Sequence, residues 1–214
     1  MESEFSYILP QDLRTADDEI KLIAAAKAGD LDSFNALVLS YQSLVYNVAF
    51  RIVGDRFAAD DAAQETFFLA FRNLRSFRGG SFRSWLLRIV TNVCRDQFRR
   101  KKRRPTVRLA PMDNAEDEIE TTTWISDPGE SPEEKLERAD LARTIQACIE
   151  ELPLEFRLVV TLVDVQGMDY VEAAQTIGLP LGTLKSRLAR ARARLSVRLK
   201  EQTISVTRFL ERKQ

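Results

Sequence analysis

Residues 179–195 read LPLGTLKSRLARARARL, and this stretch decides the fold of the second half of the chain. Wound as a helix at about 3.6 residues per turn, it carries an apolar stripe that predicts packing against a neighbouring element. The stripe consists of Leu184, Leu188, Ala191, Leu195 and Leu199. Upstream, MDYVEAAQTIG predicts a short helix, and Gly178-Leu179-Pro180 predicts a tight turn. A short helix, a turn and a basic second helix indicate a helix-turn-helix, whose second helix enters a DNA major groove.

The other side of this second helix is basic. It carries Thr183, Ser186, Arg187, Arg190 and Arg194. Such a face is often only a solvated surface. Residues 185–200, however, hold seven basic residues and no acid that could pair with them along the helix. We therefore favour DNA binding over the solvated-surface interpretation.

The charge of the whole chain is balanced, with 32 basic and 32 acidic residues among 214, but it is arranged in blocks. Residues 95–108 hold eight basic side chains and one acid, and residues 113–140 hold eleven acids. A basic, acidic, basic order means that local fields decide which partners bind.

The composition excludes several classes of chemistry. Histidine is absent, which removes His-based triads and His-containing zinc sites. Two cysteines, Cys94 and Cys148, are expected to be reduced core thiols of a cytoplasmic protein, and no cofactor or metal is expected. No signal peptide and no run of about 18 apolar residues is found, so we expect no membrane insertion.

The periodicity predicts an all-α protein of two small helical domains joined by a flexible acidic linker. We expect a loosely ordered leader at 1–18, a first module at 19–104, the linker at 105–132, a second module at 133–200 and a tail at 201–214. Ser81 and Ser131 are the expected helix caps, and Pro105 ends the first module because proline clashes with the preceding helical turn.

The motif PLGTLKSRLARARARL resembles the "P-x-G-T-x-K-S-R-x-x-R-A-R" pattern of region 4 of bacterial extracytoplasmic-function RNA polymerase sigma factors, in the sigma-70 family. The resemblance implies a region 4 helix-turn-helix that reads the promoter −35 element. Lys185, Ser186, Arg187 and Arg190 would contact that element, with Thr183 and Arg192 near phosphates. EAAQTIG departs from the commoner E-I-A-x-x-x-G of the family.

The first module carries a second resemblance. Asp61-Ala-Ala-Gln64-Glu65-Thr-Phe67 is similar to the region 2.2 motif "D-x-x-Q-E-x-F". On a helix, Asp61, Gln64, Glu65 and Phe68 lie away from the stripe that we expect to be buried, which is Ala63, Phe67, Ala70, Phe71 and Leu74. An acid-and-amide face beside an aromatic side chain suits a basic partner helix. In the family, that partner is the clamp coiled coil of the largest subunit of the polymerase core enzyme.

A third face follows on the next helix. Arg88, Asn92, Arg95 and Arg99 recur at helical spacing, so that an asparagine able to read a base edge lies among arginines able to hold phosphates. Trp85 to Arg99 resembles regions 2.3–2.4, which implies capture of an extruded base of the −10 element. Phe77, Arg78, Ser81 and Arg83, in the preceding loop, are expected to contribute. Trp85 could stack on a base, although a core position is favoured, and the run at 99–104 alone would also fit a polybasic tether.

Three functions are weighed on these observations. The favoured one is a promoter-specificity subunit of RNA polymerase that is not itself an enzyme and binds core enzyme, promoter DNA and an anti-sigma factor. The first alternative is a dimeric helix-turn-helix transcriptional regulator, which leaves Asp61, Gln64 and Asn92 without a role. The second is a metal-dependent nuclease built on Asp60, Asp61 and Glu65.

Overall fold

The computed structural model describes residues 16–103 and 132–211, and within these ranges every regular element is helical. The expected linker at 105–132 lies almost entirely outside the described residues, as does most of the leader. The α-helical part of the fold class is confirmed.

The first module is a bundle of four helices. They are α1 (Ala16–Ala28), α2 (Leu31–Val53), α3 (Arg56–Asn73) and α4 (Phe82–Arg103), with a 3₁₀ turn at Leu74–Ser76 between the last two. Local chemistry explains the boundaries. The Asp30 carboxylate caps the start of α2 by accepting from the backbone of Asp32 and Ser33, and Gly54 ends α2 at φ +73°. Ser81 Oγ accepts from the Ser84 backbone, as the expected N-cap should.

The second module contains α5 (Pro132–Glu150), α6 (Leu154–Val160), a π-helical turn at Thr161–Val165, α7 (Tyr170–Ile177) and α8 (Leu181–Glu211). Asp169 caps α7, and Gly178 ends it at φ +66°, which places the turn of the helix-turn-helix where the sequence predicts it. The predicted stripe of α8 is confirmed, because Leu184, Leu188 and Ala191 are buried. α8 extends past the predicted end at residue 200, since no glycine or proline interrupts residues 183–211.

Two expectations about the first module change. Residues 16–18, assigned to the leader, already belong to α1. Of the expected stripe of α3, Ala70 and Leu74 are buried and Ala63 and Phe67 are half-buried against the core, but Phe71 is 46% exposed. Ala59, Ala62 and Thr66, which were not expected there, are buried as well. The packing of α3 on both α2 and α4 rotates the buried face by one position, and small side chains permit that close approach.

One described helix, α2, is long and apolar enough to cross a membrane by length and composition. In the fold it is the central helix of the first bundle, because α1, α3 and α4 all pack against it. Val45, Val48, Ala49 and Ile52 are fully buried there. The apolar character of α2 is therefore explained by its place in the core. That the chain does not insert into a membrane remains a proposal.

The two modules share one apolar core. α7 packs against α4, and α2 packs against both α5 and α6. The sequence predicts two modules separated by a linker and contains no signal for this contact, because it joins residues far apart along the chain. Both cysteines are free and buried, as expected.

Candidate nucleic-acid and docking interfaces

The predicted docking face on α3 is formed by side chains spaced three and four residues apart. Asp61 and Gln64 are exposed, and Phe68 is 60% exposed. Phe57, which the sequence analysis did not single out, lies four residues before Asp61 and is 84% exposed. The four-residue spacing between Phe57 and Asp61 is the feature of the sequence that could have placed Phe57 on this face. Two exposed phenyl rings around a carboxylate and an amide form a surface able to bind an amphipathic, basic helix.

Neighbouring cations modify this face at its edge. Arg100 Nη2 of α4 lies 3.9 Å from Glu65 Oε1, and the guanidinium of Arg72 lies 5.6 Å from the Phe68 ring centroid. Glu65 is half-buried, whereas Asp61 and Gln64 are not. The four predicted docking residues therefore lie on one helix, with Glu65 at the side turned toward α4.

The predicted −10 residues on α4 are mostly accessible. Arg88, Asn92 and Arg99 are exposed. Asn92 Oδ1 accepts from Arg95 at 3.4 Å, and Arg99 is 3.4 Å from Asp96 Oδ1. Burial lowers the pKa of Arg95, and the neighbouring cations of Arg99 and Arg187 lower it further. These arginines therefore form a positive cluster in which Asn92 is the one amide.

The loop before α4 divides into exposed and buried positions. Arg78 and Ser81 are exposed, whereas Phe77 is buried and packs against Phe82 and Trp85 at centroid distances of 5.5 and 5.3 Å. Lys27 donates to the Phe77 carbonyl oxygen. In this conformation the Phe77 ring supports the loop and is not presented to solvent. Trp85 is half-buried in the same cluster, as the core interpretation expects.

The predicted −35 residues lie on the first turns of α8. Lys185, Ser186 and Arg190 are exposed, and Thr183 and Arg187 are half-buried. Lys185 Nζ lies 5.9 Å from the ring centroid of Tyr170, at the start of α7. The space beside the Cα of Gly182 is open, because a Cβ at this position would have no heavy atom within 4 Å. Another surface can therefore approach the helix closely there.

Arg192 is not an unneutralised cation. Its Nε donates to both carboxylate oxygens of Asp164 at 3.2 and 3.1 Å, and the two groups form an ion pair. This hydrogen-bonded pair raises the pKa of Arg192. Arg198 pairs in the same way with Glu151 at 2.8 Å. Asp164 lies in the π-helical turn and Glu151 directly after α5, and Arg198 also pairs with Glu201 later in α8. The absence of acids within residues 185–200 therefore does not leave every arginine of α8 unpaired.

The π-helical turn at Thr161–Val165 and the Gln166 that ends it present two acceptors, Asp164 and Gln166, to other helices. The backbone amide of Gln166 donates to the Thr161 carbonyl at 2.9 Å, five residues back, which widens the helix by one residue. Asp164 then lies beside α8, and Gln166 lies beside α4. Among the residues that the structure describes, no group of three or more Cys, Asp or Glu side chains could hold a metal ion. Asp60, Asp61 and Glu65 thus do not converge as the nuclease alternative requires.

Comparisons with known proteins assign both modules. Residues 37–104 match Sigma-70 region 2, and residues 142–195 match Sigma-70, region 4. The ECF RNA polymerase sigma factor SigE of Mycolicibacterium smegmatis is 35% identical over 77% of this chain and 61% of its own, so the chain spans less than two thirds of that relative. The RNA polymerase sigma-H factor of Pseudomonas aeruginosa is 35% identical over 83% of this chain and 92% of its own. SigW of Bacillus subtilis, an ECF RNA polymerase sigma factor, is 32% identical over 85% and 96%.

Solved structures agree in fold. CnrH, in complex with the cytosolic domain of CnrY, has a TM-score of 0.61 at 27% identity and covers 86% of this chain and 99% of its own. The sigma factor RpoE of Bartonella quintana, solved with the anti-sigma factor NepR, has a TM-score of 0.58 at 23% identity over 78% and 96%.

Proposed function

The chain belongs to the sigma-70 family, in its extracytoplasmic-function group, and is a promoter-recognition subunit of RNA polymerase; we propose here how its surfaces divide that work. The observation that carries the proposal is the separation of three polar faces on three helices. One is acidic and aromatic on α3, and two are basic, on α4 and α8.

The α3 face is the docking surface for core polymerase. Asp61 and Gln64 would bind donors of a basic coiled-coil helix, and Phe68 would pack on its apolar stem, with Glu65 at the edge. Phe57 extends this surface by one helical turn, because it lies on the same side of α3 and is 84% exposed. The partner that the family resemblance implies is the clamp coiled coil of the largest subunit.

The α4 face binds the −10 element. Asn92 would read a base that has left the stack, while Arg88, Arg95 and Arg99 hold the phosphates around it. Arg78 and Ser81 line the approach from the preceding loop, Arg83 follows in the first turn of α4, and Phe77 supports the loop from below. The first turns of α8 bind the −35 element in the duplex, through Lys185, Ser186, Arg187 and Arg190, with Thr183 and Arg192 near phosphates.

The division of the chain follows from these roles. We propose that residues 19–104 bind core enzyme and melt the −10 element, that 133–200 read the −35 element, and that 105–132 join the two. No bond is made or broken by this subunit itself, and it acts in the cytoplasm, where the polymerase is. CnrH was solved with the cytosolic domain of a second protein, and we propose a protein partner of that kind here, an anti-sigma factor.

The alternative of a dimeric regulator accounts for the second module only. It leaves residues 37–104, which match region 2, without a function. It is therefore not favoured.

A transcription assay with bacterial core polymerase and a library of promoters tests the proposal. The wild-type chain should direct initiation at promoters that share one upstream and one downstream element. Asn92→Ala should lose base preference at the downstream element, and Lys185→Ala with Arg187→Ala should weaken use of the upstream element by about tenfold or more.

Arg198→Ala is the matched control for each single variant, Lys185→Ala and Arg187→Ala, because it also removes one positive charge from α8, at a position already paired with Glu151. It should leave promoter choice unchanged. Initiation by core polymerase that does not depend on this chain would contradict the proposal. So would an effect of Arg198→Ala on use of the upstream element that equals the effect of the Lys185 and Arg187 variants.

A further inference from the structure

The loop at residues 77–81 connects the 3₁₀ turn to the start of α4, and we call it the −10 loop because the proposed function places it beside the −10 element. The tip of this loop is open. Gly79 and Gly80 have φ values of +96° and +87°, and a Cβ at either position would have no heavy atom within 4 Å. Because glycine adopts several backbone conformations at little cost, the position of the tip depends on how firmly the two ends of the loop are held.

The second end of the −10 loop is held by α4 itself. Ser81 Oγ accepts from the backbone amide of Ser84 at 3.1 Å and from the Ser84 hydroxyl at 2.8 Å. The Ser81 carbonyl accepts from the backbone amide of Trp85 at 3.1 Å. These hydrogen bonds belong to the N-terminus of the helix, and they fix Ser81 to the first turn of α4.

The first end of the −10 loop is held by a cation from α1. Lys27, in the last turn of α1, donates from Nζ to the Phe77 carbonyl oxygen, and the same Nζ lies 5.1 Å from the centroid of the Phe77 ring. One ammonium group therefore contacts both the backbone and the side chain of the first loop residue. A hydrogen bond from a charged donor is stronger than one between neutral groups, and the cation–π contact adds to it. Lys27 is half-buried, so water competes only in part for these contacts.

Phe77 carries this restraint from α1 to α4. Its side chain is 6% exposed and packs against Phe82 and Trp85 in the first turn of α4. Phe82 packs in turn against Tyr41 of α2, at a centroid distance of 5.5 Å. α1 is itself fixed to the bundle, because it packs along α2 and contacts the 3₁₀ turn. The start of the −10 loop is therefore held between α1 and α4, whereas its tip is open.

We propose that Lys27 is a positioning residue for −10 recognition, which contacts no DNA and holds the −10 loop in the conformation that presents Arg78 and Ser81 to the −10 bases. The inference rests on the proposed function, because it takes this loop as part of the −10 surface. It assigns a role to a residue of α1 that lies outside the region 2 match at 37–104. A loop that is ordered before binding loses less conformational entropy on DNA, whereas a loosely held loop adapts to the wrong base as well. Base preference at the −10 element should therefore depend on Lys27.

Transcription with bacterial core polymerase from a promoter library randomised at the downstream element measures that preference. The quantity is the ratio of initiation between the favoured base and the other bases at each position. Lys27→Met retains the apolar stem but removes the charge and the donor. It should lower this ratio at one or more downstream positions by about fivefold or more, and leave preference at the upstream element unchanged. Lys27→Arg again supplies a charged donor and should recover most of the ratio.

Lys21→Met is the matched control, because it removes the same charge from α1 at an exposed position where the partner is Asp18 at 3.8 Å. It should leave base preference unchanged. Asn92→Ala is measured beside it, because the proposed function expects this variant to lose downstream preference whatever the role of Lys27. Circular dichroism checks that the variants are folded, and their affinity for core polymerase should equal that of wild type. If Lys27→Met does not fold, Lys27→Gln replaces it, with an expected loss of about threefold because a neutral donor remains.

Unchanged base preference in the Lys27 variant, together with loss of preference in Asn92→Ala, would overturn the role of Lys27 and leave the proposed function intact. An equal loss of initiation at all promoters would also overturn it, since a phosphate contact or a general structural role acts on every sequence alike. Absence of any downstream preference in the wild type would instead contradict the proposed function. Loss of preference that is confined to the downstream element and recovered by Lys27→Arg would support the positioning role.

Discussion

Replacement of Arg157 by methionine is expected to remove a large part of the stability of the folded chain. The guanidinium donates to three backbone carbonyls, which belong to Ile52, Glu150 and Leu152, and it lies 5.4 Å from the ring centroid of Phe98. Methionine retains the apolar stem against that ring but supplies no donor. The carbonyls at the end of α2 and between α5 and α6 would then lose their partners inside the protein.

The size of the effect follows from burial. Arg157 is 7% exposed, so water cannot readily replace its hydrogen bonds. A buried carbonyl left without a donor costs about 1–3 kcal/mol, and the loss of this one side chain leaves three such carbonyls, while removal of the buried cation offsets part of the cost. We expect Arg157→Met to lower the free energy of unfolding by about 3–5 kcal/mol. Burial also lowers the pKa of this guanidinium, in the direction that desolvation requires.

Urea unfolding followed by circular dichroism measures this change. Arg143→Met is the control, since Arg143 makes an exposed pair with Asp140 at 2.7 Å that should contribute less than about 1 kcal/mol. A loss for Arg157→Met no larger than that of the control would refute the reasoning, because it would mean that the three carbonyls find other donors.

Three further predictions follow from single positions. Gly54→Ala should destabilise the chain by about 1 kcal/mol more than Gly29→Ala, measured by thermal unfolding, because both glycines have positive φ but a Cβ meets a neighbour only at Gly54. Equal losses would contradict the close contact. Asp164→Ala should free Arg192 and steepen the salt dependence of binding to duplex DNA by about one unit in log–log slope, whereas an unchanged slope would show that Arg192 meets no phosphate. Burial raises the pKa of Cys94 to about 12 from 9.0, so its contribution to stability is fully present below pH 9 and is lost as the pH rises toward 12. The free energy of unfolding, measured against pH, should therefore fall less steeply between pH 9 and 12 for Cys94→Ala than for wild type. Identical slopes for the two proteins would contradict the prediction.

Local features of the fold were predictable from the sequence because their causes are local. The stripe of α8, the cap at Ser81 and the break at Gly178 each depend on residues within one or two turns. α3 was harder, since the small residues around Ala59 and Ala70 allow more than one face to pack. Only the neighbours α2 and α4 decide which face is buried.

The pairing of polar side chains across the fold was not predictable. Asp164 and Arg192 are separated by 28 residues, and Arg83 and Gln166 by 83, so no helical spacing relates them. The π-helical turn that presents both acceptors depends on one extra residue in the helix, which has no marker such as proline or glycine in TLVDV. The candidate site residues themselves were found from spacing and resemblance, and their roles stay predictions.

The central claim is that the exposed face of α3 attaches the chain to RNA polymerase, and its most direct test is the affinity for core enzyme. Asp61→Lys reverses charge in the middle of that face, and Asp60→Lys reverses the adjacent exposed acid, which points to another side of the helix. Because a like charge would then meet a basic partner helix, Asp61→Lys should weaken binding by about tenfold or more, while Asp60→Lys changes it by less than about threefold. Equal affinities of the two variants for core polymerase would contradict the claim.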